Sequence, residues 1–215
     1  MKELLPNIYQ ATTILKAGPV KVISAMHIIT GGDEIVVIDP FTLSETETEA
    51  LEALGKPTHI LITGGMHVRD AEIYRKQYGA KILANREAVP KLGIPVDDAF
   101  GDGETLPGGL GVIEMSGVSL GETIFRHNQG EGTLIVGDAL MNFQPSDRGF
   151  LMRLLGFAEN LGTTPKLFMK DKKLAGQSYR KLLDHEFDSI LVSHGPPILQ
   201  DGKIQLERVV EALRL

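Results

Sequence analysis

Five stretches of the chain are apolar without a break: IVVI at 35–38, ILI at 60–62, ILA at 82–84, LIV at 134–136 and ILV at 190–192. Runs this short and this unbroken predict strands buried on both faces, as in a layered α/β protein. Three of them run out into polar clusters, TGGMHVRD at 63–70, GDA at 137–139 and SHGPP at 193–197. Function gathers where buried strands give way to loops, so these three ends are expected to line one pocket.

Elsewhere the period changes. Residues 7–38 alternate and break at Gly31, Gly32 and Asp33, which predicts consecutive antiparallel strands. Ser44 and Glu47 have capping-box spacing, and Gly55 with Pro57 ends the helix they start. A second helix is predicted over roughly 69–78, from Ala71, Tyr74 and Tyr78 on one face and Gly79 past its end. Gly and Pro between about 94 and 121 suit turns joining short strands, and 123–125 with 133–136 form a hairpin around HNQGEG. Residues 171–184 are helical, with Leu174, Tyr179, Leu182 and Leu183 inward, followed by a strand at 188–193 and a helix from about 203. FLMRLLGF at 150–157 has little periodicity and fits core, a lid over the pocket or an oligomer contact. With no repeat, linker or low-complexity tract, residues 1–215 read as one domain.

Composition narrows the chemistry. Lys and Arg number 22 against 28 Asp and Glu, a formal charge of −6, so no basic field marks the chain for nucleic acid or for an anionic membrane. A small molecule, or another copy of the chain, is the expected partner. Cysteine is absent, so any metal must sit on His and carboxylate. The N-terminal residues lack a signal-peptide pattern, and no run approaches about 18 apolar residues. A cytoplasmic protein is expected.

The order of elements and the three strand ends resemble the metallo-β-lactamase fold superfamily, over nearly the whole chain from IVVIDP at 35–40 to SHGPP. The resemblance implies a four-layer αββα sandwich with a metal site along one edge of its two sheets. In that family a strand ending in Thr leads into H-x-H-x-D-H, a later Gly-His-Thr-Pro-Gly-like element adds a histidine, Gly-Asp follows a strand, and His-Gly-x-Pro closes the site. Imidazoles and carboxylates serve because a divalent ion needs several N and O donors at about 2.0–2.2 Å. Counting from Thr63, Gly64 and Met66 stand at the first two histidines, and Val68 and Arg69 at the Asp and the last His. GVSLGET at 117–123 matches the later element, with Val118 at its histidine. Asp138, after Gly137, and His194, before Gly195 and Pro196, match the family pattern. Asp39 is implied as a residue that supports the pocket from behind the ligands.

Three readings follow. In the first, most dinuclear ligands are replaced, the usual dinuclear hydrolase activity is absent, and a pocket made apolar by Met66, Val68 and Val118 binds a small ligand without a metal. In that reading Arg69, or failing it His194, contacts Asp138, which as an unpaired buried anion would be costly. In the second, His67 replaces Met66 by a one-residue slip, and His67, Asp70, Asp138 and His194 hold one divalent transition metal, zinc or iron, for hydrolysis. Asp70 also reads as a helix cap and His67 as a loop histidine. Gly64 and Gly65 mark either a tight turn or a seat of backbone N–H groups for an anion. In the third, 150–157 is the contact surface of a structural subunit.

Overall fold

The computed structural model describes residues 1–17, 20–119 and 121–213. Alternation from residue 8 onward builds β2 (Ile8–Ala17), β3 (Val20–Gly31) and β4 (Glu34–Ile38), antiparallel in sequence order, with β1 (Lys2–Leu5) paired outside β2. The edge strand β1 has no apolar run of its own, and its pairing comes from its neighbour. After β4 the chain crosses through α1 (Glu45–Leu54) to β5 (His59–Ile62), then through α2 (Ala71–Tyr78) to β6 (Lys81–Asn85). With β7 (Asp98–Phe100) these strands continue the sheet in parallel, giving seven strands in the order β1 to β7. The Ser44–Glu47 capping box is formed in both directions, and Gly79 closes α2 in the left-handed region at φ 74°.

The second half adds β8 (Thr105–Leu106), β9 (Leu110–Glu114), β10 (Thr123–His127), β11 (Thr133–Val136), β12 (Leu140–Phe143), α3 (Phe150–Leu154), β13 (Asn160–Thr163), α4 (Lys172–Leu182), β14 (Ser189–Val192) and α5 (Gly202–Ala212). Five of these strands form a sheet in the order β14-β11-β10-β9-β8, with β14 parallel to β11, while β12 and β13 pair separately.

Strand period two sorts the apolar runs between layers. In β4, Ile35 and Val37 face α1 and α2, while Val36 and Ile38 face the other sheet; in β11, Leu134 and Val136 face α4 and α5, while Ile135 turns inward. The inward residues of both sheets share one cluster, from Ile8 and Leu61 to Phe125 and Leu191, and each outer face has its own helical cover. That is an αββα sandwich of four layers.

Two expectations change. Leu174, placed inward by periodicity, is exposed at the first turn of α4, whereas Tyr179 and Leu182 are buried as expected. Residues 150–157 are not core as a run. Only Met152 is fully buried, against Met141 and Phe143, with Phe157 packed partly beside them.

Candidate metal centre

Parallel pairing sets the strand ends level. On the first sheet Ile38 pairs with Leu61, so Asp39 and Thr63 emerge side by side. Asp39, with a left-handed φ of 54°, turns its carboxylate back onto the end of β5. Oδ1 accepts from the Thr63 amide at 2.9 Å, and Oδ2 accepts from Thr63 Oγ1 at 2.7 Å, His67 Nδ1 at 2.6 Å and Ser193 Oγ at 3.3 Å. A tight turn, His67 N–H to the Gly64 carbonyl at 2.9 Å, brings the imidazole back over the strand end. On the second sheet Val136 pairs with Val192, so Asp138 and His194 each lie two residues beyond a matched pair.

These ends meet at one point. His67 Nε2 lies 3.3 Å and His194 Nε2 3.1 Å from Asp138 Oδ1, and donor atoms of the three residues all fall within 4.8 Å of one another. The two rings stand edge to face, 5.5 Å between centroids, and Phe143 stacks along the other side of His194.

The outward nitrogens fix the tautomers. His194 Nδ1 faces the Ile23 carbonyl at 3.0 Å, and a carbonyl only accepts, so Nδ1 carries the proton. His67 Nδ1 faces an ionised Asp39 and carries its proton for the same reason. Two neutral imidazoles would therefore aim lone pairs at a carboxylate oxygen. Three acceptors facing one another repel unless a proton or a cation sits among them. Imidazoles held by Nδ1–H on a carboxylate or carbonyl, with Nε2 free, are the usual arrangement of metal-ligating histidines, so the donor set fits a divalent ion.

Without an ion, a proton on His67 plays the same part. Burial opposes charge on His67, yet Asp39 and Asp138 on either side raise its pKa from 6.5 to about 10. Burial alone would raise Asp138, but the neighbouring His67 and His194 hold it well below the ordinary carboxylate range. Asp39 is likewise raised by burial and pulled lower overall by His67, Arg69 and Thr63.

Glu122 gave no sequence signal. It precedes β10, is buried, and accepts from the Ala139 amide and from Ser119 Oγ, each at 2.9 Å. Burial first, then the neighbouring Asp138, pushes its pKa to about 8, with His67 opposing. A Cβ at Gly64 would lie 2.6 Å from Glu122 Oε2, and one at Gly137 would run into Thr63 Oγ1. Glu122 thus fills the space that a side chain at 64 would need. Along the sequence it is an ordinary acid between Gly121 and a strand start.

The remaining candidates are elsewhere. Asp70 precedes α2, but its carboxylate takes the Thr42 amide and hydroxyl at 2.6 and 2.7 Å; it makes no cap bond to the helix and is not in the donor cluster. Arg69 reaches the carbonyls of Ala25 and Asp39 at 2.9 and 3.0 Å, not the Asp138 carboxylate; of the two partners expected there, His194 makes the contact. The helix does start beyond Arg69, yet with a left-handed φ of 41° at this residue the guanidinium goes to those two carbonyls. Met66 is 79% exposed, Val68 packs partly against the α1–α2 core, and Val118 is sealed in the core beneath α4, so the three do not make a shared apolar wall. Gly64 and Gly65 form the turn before His67, and Leu120 of the 117–123 element lies outside the described residues. His27 bonds Gln10 and His59 bonds Thr58, away from the cluster.

A family model for the metallo-beta-lactamase superfamily matches residues 1–213. The chain belongs to that superfamily. Solved structures agree on the fold. A metallo-beta-lactamase from Pontibacter korlensis is 16% identical with a TM-score of 0.72, over 99% of this chain and 98% of the other. The metallo-beta-lactamase family protein TTHA1429 from Thermus thermophilus is 20% identical with a TM-score of 0.65, over 97% of this chain and 78% of its own. TTHA1623, solved in a di-iron-bound form, is 20% identical with a TM-score of 0.61, over 86% of this chain and 93% of its own. No curated protein matches. Within the metallo-beta-lactamase fold the cluster lies where strands of both sheets end.

Proposed function

We propose that this protein is a mononuclear metal-dependent hydrolase of small molecules, its ion held by His67, Asp138 and His194. The observation that carries this reading is the pair of anchored imidazoles, each with Nδ1–H committed outward and Nε2 turned toward Asp138 Oδ1. A divalent ion such as zinc or iron bound there would supply Lewis acidity and lower the pKa of a bound water toward neutrality. The chain's own groups do the rest. Asp39 and the Ile23 carbonyl hold the rings, Arg69 offsets the charge of Asp39 and Asp138, and Glu122 fills the space beside Gly64 that a side chain there would need. TTHA1623 carries two irons, whereas Gly64, Met66, Val68 and Val118 offer this chain no donors for the second. Loss of the dinuclear chemistry goes with that loss of ligands.

One observation supports a second reading. With its pKa raised to about 10, His67 is an imidazolium at neutral pH in the absence of a cation, and it can satisfy Asp39 and Asp138 alone. The protein would then be metal-free and bind a small ligand only. Elemental analysis after purification without chelator separates the two. About one equivalent of zinc or iron, lost in His194→Ala, is expected. Protein free of transition metal, with no uptake on dialysis against zinc or ferrous ion, would establish the imidazolium reading instead.

A further inference from the structure

The chain is acidic overall, but its charge is unevenly spread. Between 148 and 174 there are six Lys and Arg against two acids, a local excess of four positive charges in a protein of net charge −6. The two acids are already engaged: Glu159 pairs with Arg148 at 3.1 Å, and Asp171 caps α4 by accepting the Leu174 amide. Arg153, Lys170, Lys172 and Lys173 are exposed and make no ion pair among the described residues.

The same segment carries six of the twelve large exposed apolar side chains among the described residues, with Phe150 at 83%, Leu167 at 71% and Leu154 at 70% exposure. Phe157 joins α3 to the 167–168 turn. Met152 seats α3 on Phe143, the Phe157 and Phe168 rings meet at 5.9 Å, and Val22 of the β2–β3 hairpin packs on the same cluster. Apolar side chains interleaved with unpaired cations are the composition of an interfacial surface, which inserts its apolar groups while lysines and arginines meet anionic headgroups. A second copy of the chain is a poor occupant. An isologous dimer through this patch would gather the unpaired cations of both copies in one interface.

We infer that residues 150–174 form a docking surface for an anionic phospholipid bilayer. No helix among the described residues is long and apolar enough to cross a membrane. The surface lies close to the site, because Met152 touches Phe143 and Phe143 stacks on His194. Docking there would bring the cluster of His67, Asp138 and His194 near the headgroup layer and bias its substrates toward amphipathic molecules. The expectation from net charge, that no anionic membrane is bound, averages over the chain, whereas this inference rests on one segment.

Co-sedimentation with vesicles tests it, using phosphatidylcholine alone and phosphatidylcholine with roughly one quarter phosphatidylglycerol. Partitioning onto the anionic vesicles is expected to exceed that onto neutral ones by about tenfold or more and to weaken with salt, as unpaired lysines near a charged surface require. Lys170→Glu with Lys173→Glu should remove the preference. Leu154→Glu, at an exposed position that leaves the fold intact, should weaken binding to anionic vesicles, and Ile204→Glu on α5 should not. Equal partitioning onto both vesicle types, or binding unchanged by Leu154→Glu, overturns the inference. So does a dimer in light scattering that Leu154→Glu dissolves while the wild type ignores vesicles.

Discussion

Asp39 accepts four hydrogen bonds and touches no ligand position, so its effect on the site must pass through His67. Asn at 39 keeps the shape and could still accept from the Thr63 amide, but its NH2 would face both Thr63 Oγ1 and His67 Nδ1. A donor opposite Nδ1 favours the other tautomer, with the proton on Nε2, where a metal ligand needs a lone pair. Asp39→Asn is therefore expected to weaken metal binding by about 10–100-fold, with the fold retained. Competition against a chromophoric chelator measures this, and an unchanged affinity would show that His67 is not a ligand. At this scale the sequence was informative about residue type and weak about direction. Asp138 and His194 stand out because each follows a buried strand end in a pattern the family shares, whereas His67 reads equally as a loop histidine. Asp70 and Arg69 look equivalent to them along the chain, yet Asp70 turns to Thr42 and Arg69 to two carbonyls. Spacing along a turn does not fix where a side chain points, and the left-handed backbone at Arg69 has no signature in an Arg.

The loop after β14 is built around Gly195. Its φ of 107° lies in the left-handed half of the map, and a Cβ there would run into the Asn142 carbonyl. Asn142 clamps the loop from the other side, its amide on the His194 carbonyl at 2.9 Å and its Nδ2 on the Pro196 carbonyl at 2.8 Å. Gly195→Ala should thus cost about 2 kcal/mol or more and displace His194 at the same time. Chemical denaturation together with metal titration checks it; full stability with full affinity would mean the loop is not held as described. Elements with an unbroken apolar run or a clear helical face, β4, β5, β11, α1 and α2, follow their sequences closely. β12, α3 and β13 do not, because their burial comes from partners far along the chain, Val22 and His194 among them.

The candidate ligands come from both sheets: His67 follows β5, while Asp138 and His194 follow β11 and β14. Hydrogen bonds already join the sheets at this edge, from Ala25 to the Ser193 carbonyl and from Thr123 to the Thr63 carbonyl, each 2.8 Å. A cation bound at the junction would bridge the two halves of the sandwich, and the unfolded chain has no equivalent site. Binding to the native state alone stabilises it by mass action, by about 2.7 kcal/mol when free ion stands 100-fold above Kd. For a chain of this size that corresponds to roughly 5–10 °C in melting temperature. Chelation should lower the midpoint by that amount, re-addition of zinc or ferrous ion should restore it, and His194→Ala should melt at one temperature in either condition. A wild-type midpoint indifferent to chelator and to added ion would argue that the junction is held by protonated His67 between two carboxylates. In that case the midpoint should instead fall as pH rises toward about 10, since a group whose pKa is raised by folding loses its contribution through that range.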